Sequence, residues 1–191
     1  MIVAGVYLET ERMILRRLTE DDVGNLFELD SDPEVMRFLT GGVPHTREFI
    51  ANRALPYYLE FYDQFAELGF WAVIEKASGA FMGWFHFRPC RVNPEDTELG
   101  YRLKRRFWSR GFATEGSLAL IEKGFRKLGA SKVVATTMSL NTRSRRVMEK
   151  VGLQFERQFV YPGAPFPGWR AEDCLEVRYG LTRKQWESRD T

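Results

Sequence analysis

Between Thr97 and Met138 the chain writes a strand, a turn, a helix and a second strand, and this unit restricts the fold more than any other stretch. TELGYRL (Thr97–Leu103) reads as a strand. The small-residue turn RGFATEG then opens a helix that places Leu118, Ile121, Phe125 and Leu128 on one stripe and stops at Gly129. KVVATTM returns to strand. A helical crossover of this kind leaves its two strands parallel. The remaining strands read differently: FWAVIEK and AFMGWFHFR flank Ala77, Ser78 and Gly79 as an antiparallel hairpin, and LQFERQFVY and CLEVRYGL close the chain around the loop Pro162–Asp173. One crossover among hairpins predicts a mixed sheet and an α+β class, not a doubly wound one.

The first strand is RMILRRL (Arg12–Leu18), and Thr19 with Asp22 three residues later starts a helix through EDDVGNLFELD. Asp32 and Pro33 open a short second helix, and TGGVP breaks it. TREFIANRALPYYLEFYDQF is helical in spacing, with a break expected at Pro56. Asn141 caps a later helix whose Val147, Met148 and Val151 form an apolar stripe ending at Gly152.

With 191 residues, 44% of them hydrophobic, the chain supports one packed domain over 1–191. Lys and Arg total 28 against 26 Asp and Glu, so no direct nucleic-acid or membrane-surface role is expected. The two cysteines, Cys90 and Cys174, lack the spacing of a disulfide framework or a zinc site. MIVAGVYLETERM has no basic region followed by an apolar run, and no stretch suits a bilayer span, so a cytoplasmic protein without a metal is expected.

FWSRGFATEG (Phe107–Gly116) poses the functional question. A dinucleotide fingerprint needs its first glycine directly after a strand and an acid at the end of the next strand. Here KRRFWSR separates Leu103 from Gly111, and KVVATTM runs into Ser139, Leu140 and Asn141. The phosphate-loop pattern does not occur. What remains is a turn with free backbone N–H groups at a helix start, preceded by Lys104, Arg105, Arg106 and Arg110. Such an end favours an anion by roughly 0.3–1 kcal/mol per charge interaction. The same residues also suit an ordinary loop-to-helix junction with solvated arginines.

RFWSRGFATEG after ELGYRL, followed by SLNTRSRRVMEKVGL, resembles the GNAT superfamily of acyl-CoA-dependent N-acetyltransferases, with the similarity closest to its RimJ/RimL-like, ribosomal-protein-alanine acetyltransferase branch. It extends from LETERMILRRL to VRYGLTRKQW. The resemblance implies a mostly antiparallel sheet of about seven strands flanked by helices, with a splayed parallel pair, ELGYRL and KVVATTM, admitting coenzyme A. It places the pyrophosphate on the turn Trp108, Ser109, Arg110, Gly111, Phe112 and Ala113, with Thr114 following, and Trp108 stands where the family has Gln or Arg. Leu103 and its neighbours, Tyr101 among them, offer backbone groups to the pantetheine arm and one N–H to the thioester oxygen. Asn141 and Ser144 fall near the pantetheine and sulfur.

Acetyl transfer needs a neutral amine, an oriented thioester and a route for the proton. A lysine-like amine, pKa about 10.4, is almost wholly protonated at neutral pH, whereas an α-amine near 7.7–8.0 is partly free. The resemblance makes Glu98 the base, against a plain strand Glu paired with an Arg. Ser144 is the motif-matched acid, with Tyr101 or Tyr179 able to substitute, and a simple hydrogen bond from Ser144 to the coenzyme is an equal reading. His86, in WFHF, reads as a core or pocket-wall residue facing substrate. Arg143, Arg145 and Arg146 suit either the coenzyme's 3′-phosphate or solvent.

Acceptor selection is expected in TGGVPH, the Pro56 helix and YPGAPFPGWRAED, where Tyr161, Phe166 and Trp169 wall a groove or seal the core. The expected activity is acetyl transfer from acetyl-CoA to a primary amine, a protein or peptide N-terminus being favoured, by direct attack in a ternary complex. The alternatives are a small-molecule acetyltransferase acting on an antibiotic, polyamine or amino acid, and a non-catalytic acyl-CoA-binding module. A monomer or a homodimer is expected.

Overall fold

The computed structural model describes residues 5–189 except Ala164; 1–4 and 190–191, which include the opening of the N-terminal stretch and both ends of the expected domain, lie outside that description. The elements run β1 (Val6–Glu9), β2 (Met13–Arg17), α1 (Val23–Asp30), α2 (Pro33–Met36), α3 (Arg47–Phe49), α4 (Leu55–Gln64), β3 (Gly69–Glu75) and β4 (Phe81–Pro89). They continue as β5 (Thr97–Leu103), α5 (Phe112–Arg126), β6 (Lys132–Met138), α6 (Thr142–Lys150), β7 (Gln154–Val160), β8 (Leu175–Thr182) and α7 (Arg183–Glu187). The strands form one sheet in the order β1-β2-β3-β4-β5-β6-β8-β7, antiparallel throughout except for β5 and β6. Eight strands are present against about seven expected from the resemblance. The extra strand is β1, which pairs with β2 across a register shift.

Local chemistry explains most boundaries. Thr19 and Asp22 form the expected capping box ahead of α1. Asp32 accepts from the Glu34 N–H at 2.9 Å to start α2, and Asn141 accepts from the Ser144 N–H at 3.2 Å to start α6. Pro56 does not break its helix. A π turn over Ile50–Ala54, with Leu55 N–H bonded back to the Ile50 carbonyl, joins α3 to α4 and takes the proline at the start of α4 without a break.

Strand alternation sorts the side chains onto two faces. On one, Leu15, Trp71, Val73, Phe85, Phe87 and Leu99 pack with Leu120, Ile121 and Phe125 of α5. On the other, Phe70, Ala72 and Trp84 pack with Leu26 and Leu29 of α1, Ile50 and Leu55.

The parallel pair is short. Only Thr97↔Val133 and Glu98↔Val134 are in register, while β5 runs on to Leu103 and β6 to Met138. Beyond Glu98 the strands part, as the resemblance implies. The slot so formed connects the two faces of the sheet.

Candidate active site

The turn before α5 is held open from outside. Ser109 and Gly111 both adopt positive φ, +58° and +84°, and Gly111 is the N-cap. A Cβ on Gly111 would meet only the Arg12 guanidinium, at 3.3 Å. The first helical bond is Glu115 N–H to the Gly111 carbonyl, and no capping side chain covers the amides of Phe112, Ala113 and Thr114. Arg12 clamps the turn: it donates to the Arg110 carbonyl at 3.0 Å and to Glu115 Oε2 at 2.6 Å, with its guanidinium 4.3 Å from the Phe112 ring centroid. Arg110 turns its own side chain toward Glu75, 3.5 Å away.

Trp108 contributes more than main chain. Its indole N–H donates to the Leu103 carbonyl at 2.7 Å, tethering the turn to the end of β5. Lys104 N–H donates to Met82 O, and Gly83 is in register with Leu103. Alternation along an antiparallel ladder therefore turns the amides of Leu103 and Tyr101 away from β4, toward the slot.

On the α5–α6 side of the slot, the Tyr101 hydroxyl lies 3.1 Å from Ser144 Oγ. Burial raises the Tyr101 phenol to about 12, so it keeps its proton. Tyr179 is committed elsewhere, donating to Glu149 at 3.0 Å and accepting from Arg145 Nε at 3.1 Å. Asn141 uses its side-chain amide on Thr137 Oγ1 at 3.1 Å as well as on its cap. Arg145 also donates to the Ser139 carbonyl. Arg143 lies over Trp108, 5.2 Å from the ring centroid.

The opposite side is built from side chains. Asp30 accepts from Arg102 Nη1 at 2.6 Å and is bonded to His45 Nδ1 at 2.9 Å, joining α1, β5 and the TGGVPH loop. Glu98 is ion-paired to its cross-strand neighbour Arg88 at 2.6 Å. His86 lies against Gly100, where a Cβ would fall 2.5 Å from the ring, and its Nε2 is buried without a partner. Desolvation first, then Arg88 and Arg102, hold the imidazole well below its ordinary pKa, so it is neutral. Glu176 on β8 lies across from Met138 of β6. Burial and then the charge of Glu98 raise its carboxyl above the ordinary glutamate value.

These parts meet in a cavity of about 890 Å³. It is lined by Tyr101, Leu103, Trp108, Ser109, Gly111, Phe112, Ala113, Thr114, Asn141 and Ser144 on the turn side, and by His86, Arg102, Arg37 and Glu176 on the other. Of the residues singled out in sequence, Glu98, Lys104, Arg105, Arg106, Arg110, Arg145, Tyr161, Phe166, Trp169 and Tyr179 do not line it. Tyr161 and Trp169 instead pack on Phe166 beside Met138 and Cys174, with Trp169 edge-on to Phe38 at 5.8 Å. The aromatic loop thus backs the wall. Contributors that went unnoticed in sequence include Arg12, Arg102 and Glu176. No local pattern marks them, because each acts through strand register or a contact distant in sequence.

The profile of the "Acetyltransferase (GNAT) domain" family matches residues 12–154. The FsC-acetyl coenzyme A-N(2)-transacetylase of Aspergillus fumigatus is 33% identical over 193 residues, covering 97% of this chain and 80% of the relative. The uncharacterized N-acetyltransferase YoaA of Bacillus subtilis is 28% identical, covering 83% of this chain and 91% of YoaA. Among solved structures, RimL, a ribosomal L7/L12 alpha-N-protein acetyltransferase in complex with coenzyme A, superimposes with a TM-score of 0.77 at 14% identity, over 94% of this chain and 99% of its own.

Proposed function

We infer the reaction of this chain from its membership: it belongs to the GNAT acetyltransferase family and is an acetyl-CoA-dependent acyltransferase. We propose that the domain transfers the acetyl group to an α-amine by direct attack in a ternary complex. The observation that carries this reading is the slot between β5 and β6, which opens onto uncapped amides on one face of the sheet and a polar side-chain floor on the other.

The residues present suit a pantetheine carrier. Gly111 keeps Cβ atoms out of the turn, and the Phe112–Thr114 amides face outward as donors for a diphosphate. Bound there, acetyl-CoA supplies an activated thioester. The Leu103 and Tyr101 amides would stabilise charge developing on its oxygen. The Tyr101–Ser144 hydroxyl pair would give a hydrogen bond to the departing sulfur, and the high pKa of the phenol suits it to that more than to full proton transfer. Direct attack is favoured because Cys90 and Cys174 are buried and neither lines the cavity. The resemblance would make Glu98 the base; it stands where the parallel strands part, but it is paired with Arg88 and does not line the cavity.

An α-amine is favoured because its free fraction at neutral pH is far larger than that of a lysine-like amine. A peptide N-terminus fits this, as in the branch that the sequence resembles. The name of the Aspergillus relative, which specifies an N(2) nitrogen, favours a second reading in which the acceptor is a small molecule carrying an α-nitrogen. A panel of alanyl peptides, amino-acid amides and diamines, assayed by thiol release from acetyl-CoA, tests both. Release with the peptides and amides but not the diamines is expected. Coenzyme binding by calorimetry with no acceleration by any amine would overturn the proposal.

A further inference from the structure

Building on the amine-transfer reading above, we propose that Glu176 accepts the acceptor's proton and that Glu98 is a positioning residue that tunes it.

Strand register places both carboxylates on one face. Arg88 pairs with Glu98, Glu98 with Val134, Val134 with Gly180, and Glu176 follows four residues before Gly180 on the same strand. His86, opposite Gly100, shares that face. Tyr101 and Leu103 alternate to the other face, where Tyr101 meets Ser144 of α6. Coenzyme sulfur and acceptor amine therefore approach the slot from opposite faces, and the proton acceptor belongs on the face with Glu176.

Elimination within the cavity points the same way. Of the described lining residues, those able to take up a proton near neutral pH are His86, Glu34 and Glu176. His86 is held neutral by burial between two guanidinium groups. Glu34 is exposed at the start of α2. Glu176 is half-buried, and among the described residues no cation is paired with it. Glu98 is bound to Arg88 and lies outside the lining. Its charge nevertheless reaches Glu176 and favours the protonated form there. The other charged groups around Glu176 are Arg178 on its own strand, held by Asp96 and Glu156, with Arg157 on β7, and Arg37 and Arg102 across the cavity.

Two protons leave the ammonium nitrogen in the overall reaction. One passes to the Glu176 carboxylate, directly or through a water, and on to solvent. The freed lone pair forms the C–N bond as the C–S bond breaks, and the second proton neutralises the departing thiolate.

The test is the pH profile of kcat/KM for thiol release from acetyl-CoA with an alanyl peptide and an alanine amide as acceptors. Glu176→Gln is expected to lose roughly 100-fold at neutral pH, to lack the acid-side carboxylate inflection, and to bind coenzyme normally by calorimetry. Glu98→Gln is expected to lose less than about tenfold and to move that inflection to lower pH, since removing a neighbouring negative charge weakens proton binding at Glu176. Glu176→Asp, with the inflection retained at reduced rate, covers the case in which the Gln variant fails to fold. An inflection surviving in Glu176→Gln, or the larger loss falling on Glu98→Gln, overturns the assignment while leaving amine transfer intact. No release by the unaltered protein with either acceptor overturns both.

Discussion

The two sides of the cavity handle charge by opposite means. The Trp108–Thr114 turn offers main-chain N–H groups at a helix start and keeps side chains away. Across the sheet, the floor is lined by Arg102, His86 and Glu176, with Asp30 and the Arg88–Glu98 pair behind it, and nearly all of its contacts are between side chains. A site made of backbone tolerates a change of side chain, so Trp108 can stand where the related turn carries Gln or Arg and serve as a tether to Leu103. A site made of paired side chains has no such latitude, because removing one partner strands the other in a poorly solvated place.

The sharpest way to break this contrast is Gly100→Ala. On the side-chain floor a methyl group would sit 2.5 Å from the His86 ring, and overpacking of this kind costs about 1–3 kcal/mol. Urea unfolding measures it, and an unchanged midpoint would mean that the floor yields as easily as the turn.

A smaller effect is expected from Ala113→Asp, with two signs in one variant. A carboxylate in the first turn of α5 should stabilise the helix by about 0.3–1 kcal/mol, since it interacts favourably with the helix end. The same charge should weaken coenzyme A binding about tenfold, or about 1.4 kcal/mol. Thermal unfolding and calorimetry read the two separately, and a loss of stability together with affinity would show that the turn is not an open anion site.

The smallest effect concerns pH. Below about 6.5 an unfolded His86 takes up a proton that the folded one resists, so the unfolded state binds more protons and stability falls as pH drops through that value. Above it His86 contributes no pH dependence. His86→Gln should flatten this part of the curve of denaturation midpoint against pH, and a curve unchanged by the substitution would place the imidazole in solvent.

Much of the turn side was legible because its chemistry is local. Gly111, the small residue at 113 and the onset of an amphipathic helix are consecutive, and the caps at Thr19, Asp32 and Asn141 each act on amides two or three residues away. Pro56 was misread for the opposite reason: whether a helix breaks depends on how the backbone upstream redistributes its bonds, and here a π turn does so. β1 was missed because a four-residue edge strand leaves too short a pattern. Glu98 was visible as a carboxylate, but its partner Arg88 became evident only through cross-strand register.

The amino-acid order by itself determined most of the sequence of elements, the mixed sheet and the open turn, since these depend on propensities and hydrogen bonds among near neighbours. Only the tertiary structure decided that Glu176 shares a face with Glu98 and lines the cavity while Glu98, paired to Arg88, does not. That choice depends on how β4, β5, β6 and β8 register and where β5 parts from β6, and a one-residue slip would send Glu176 to the opposite face.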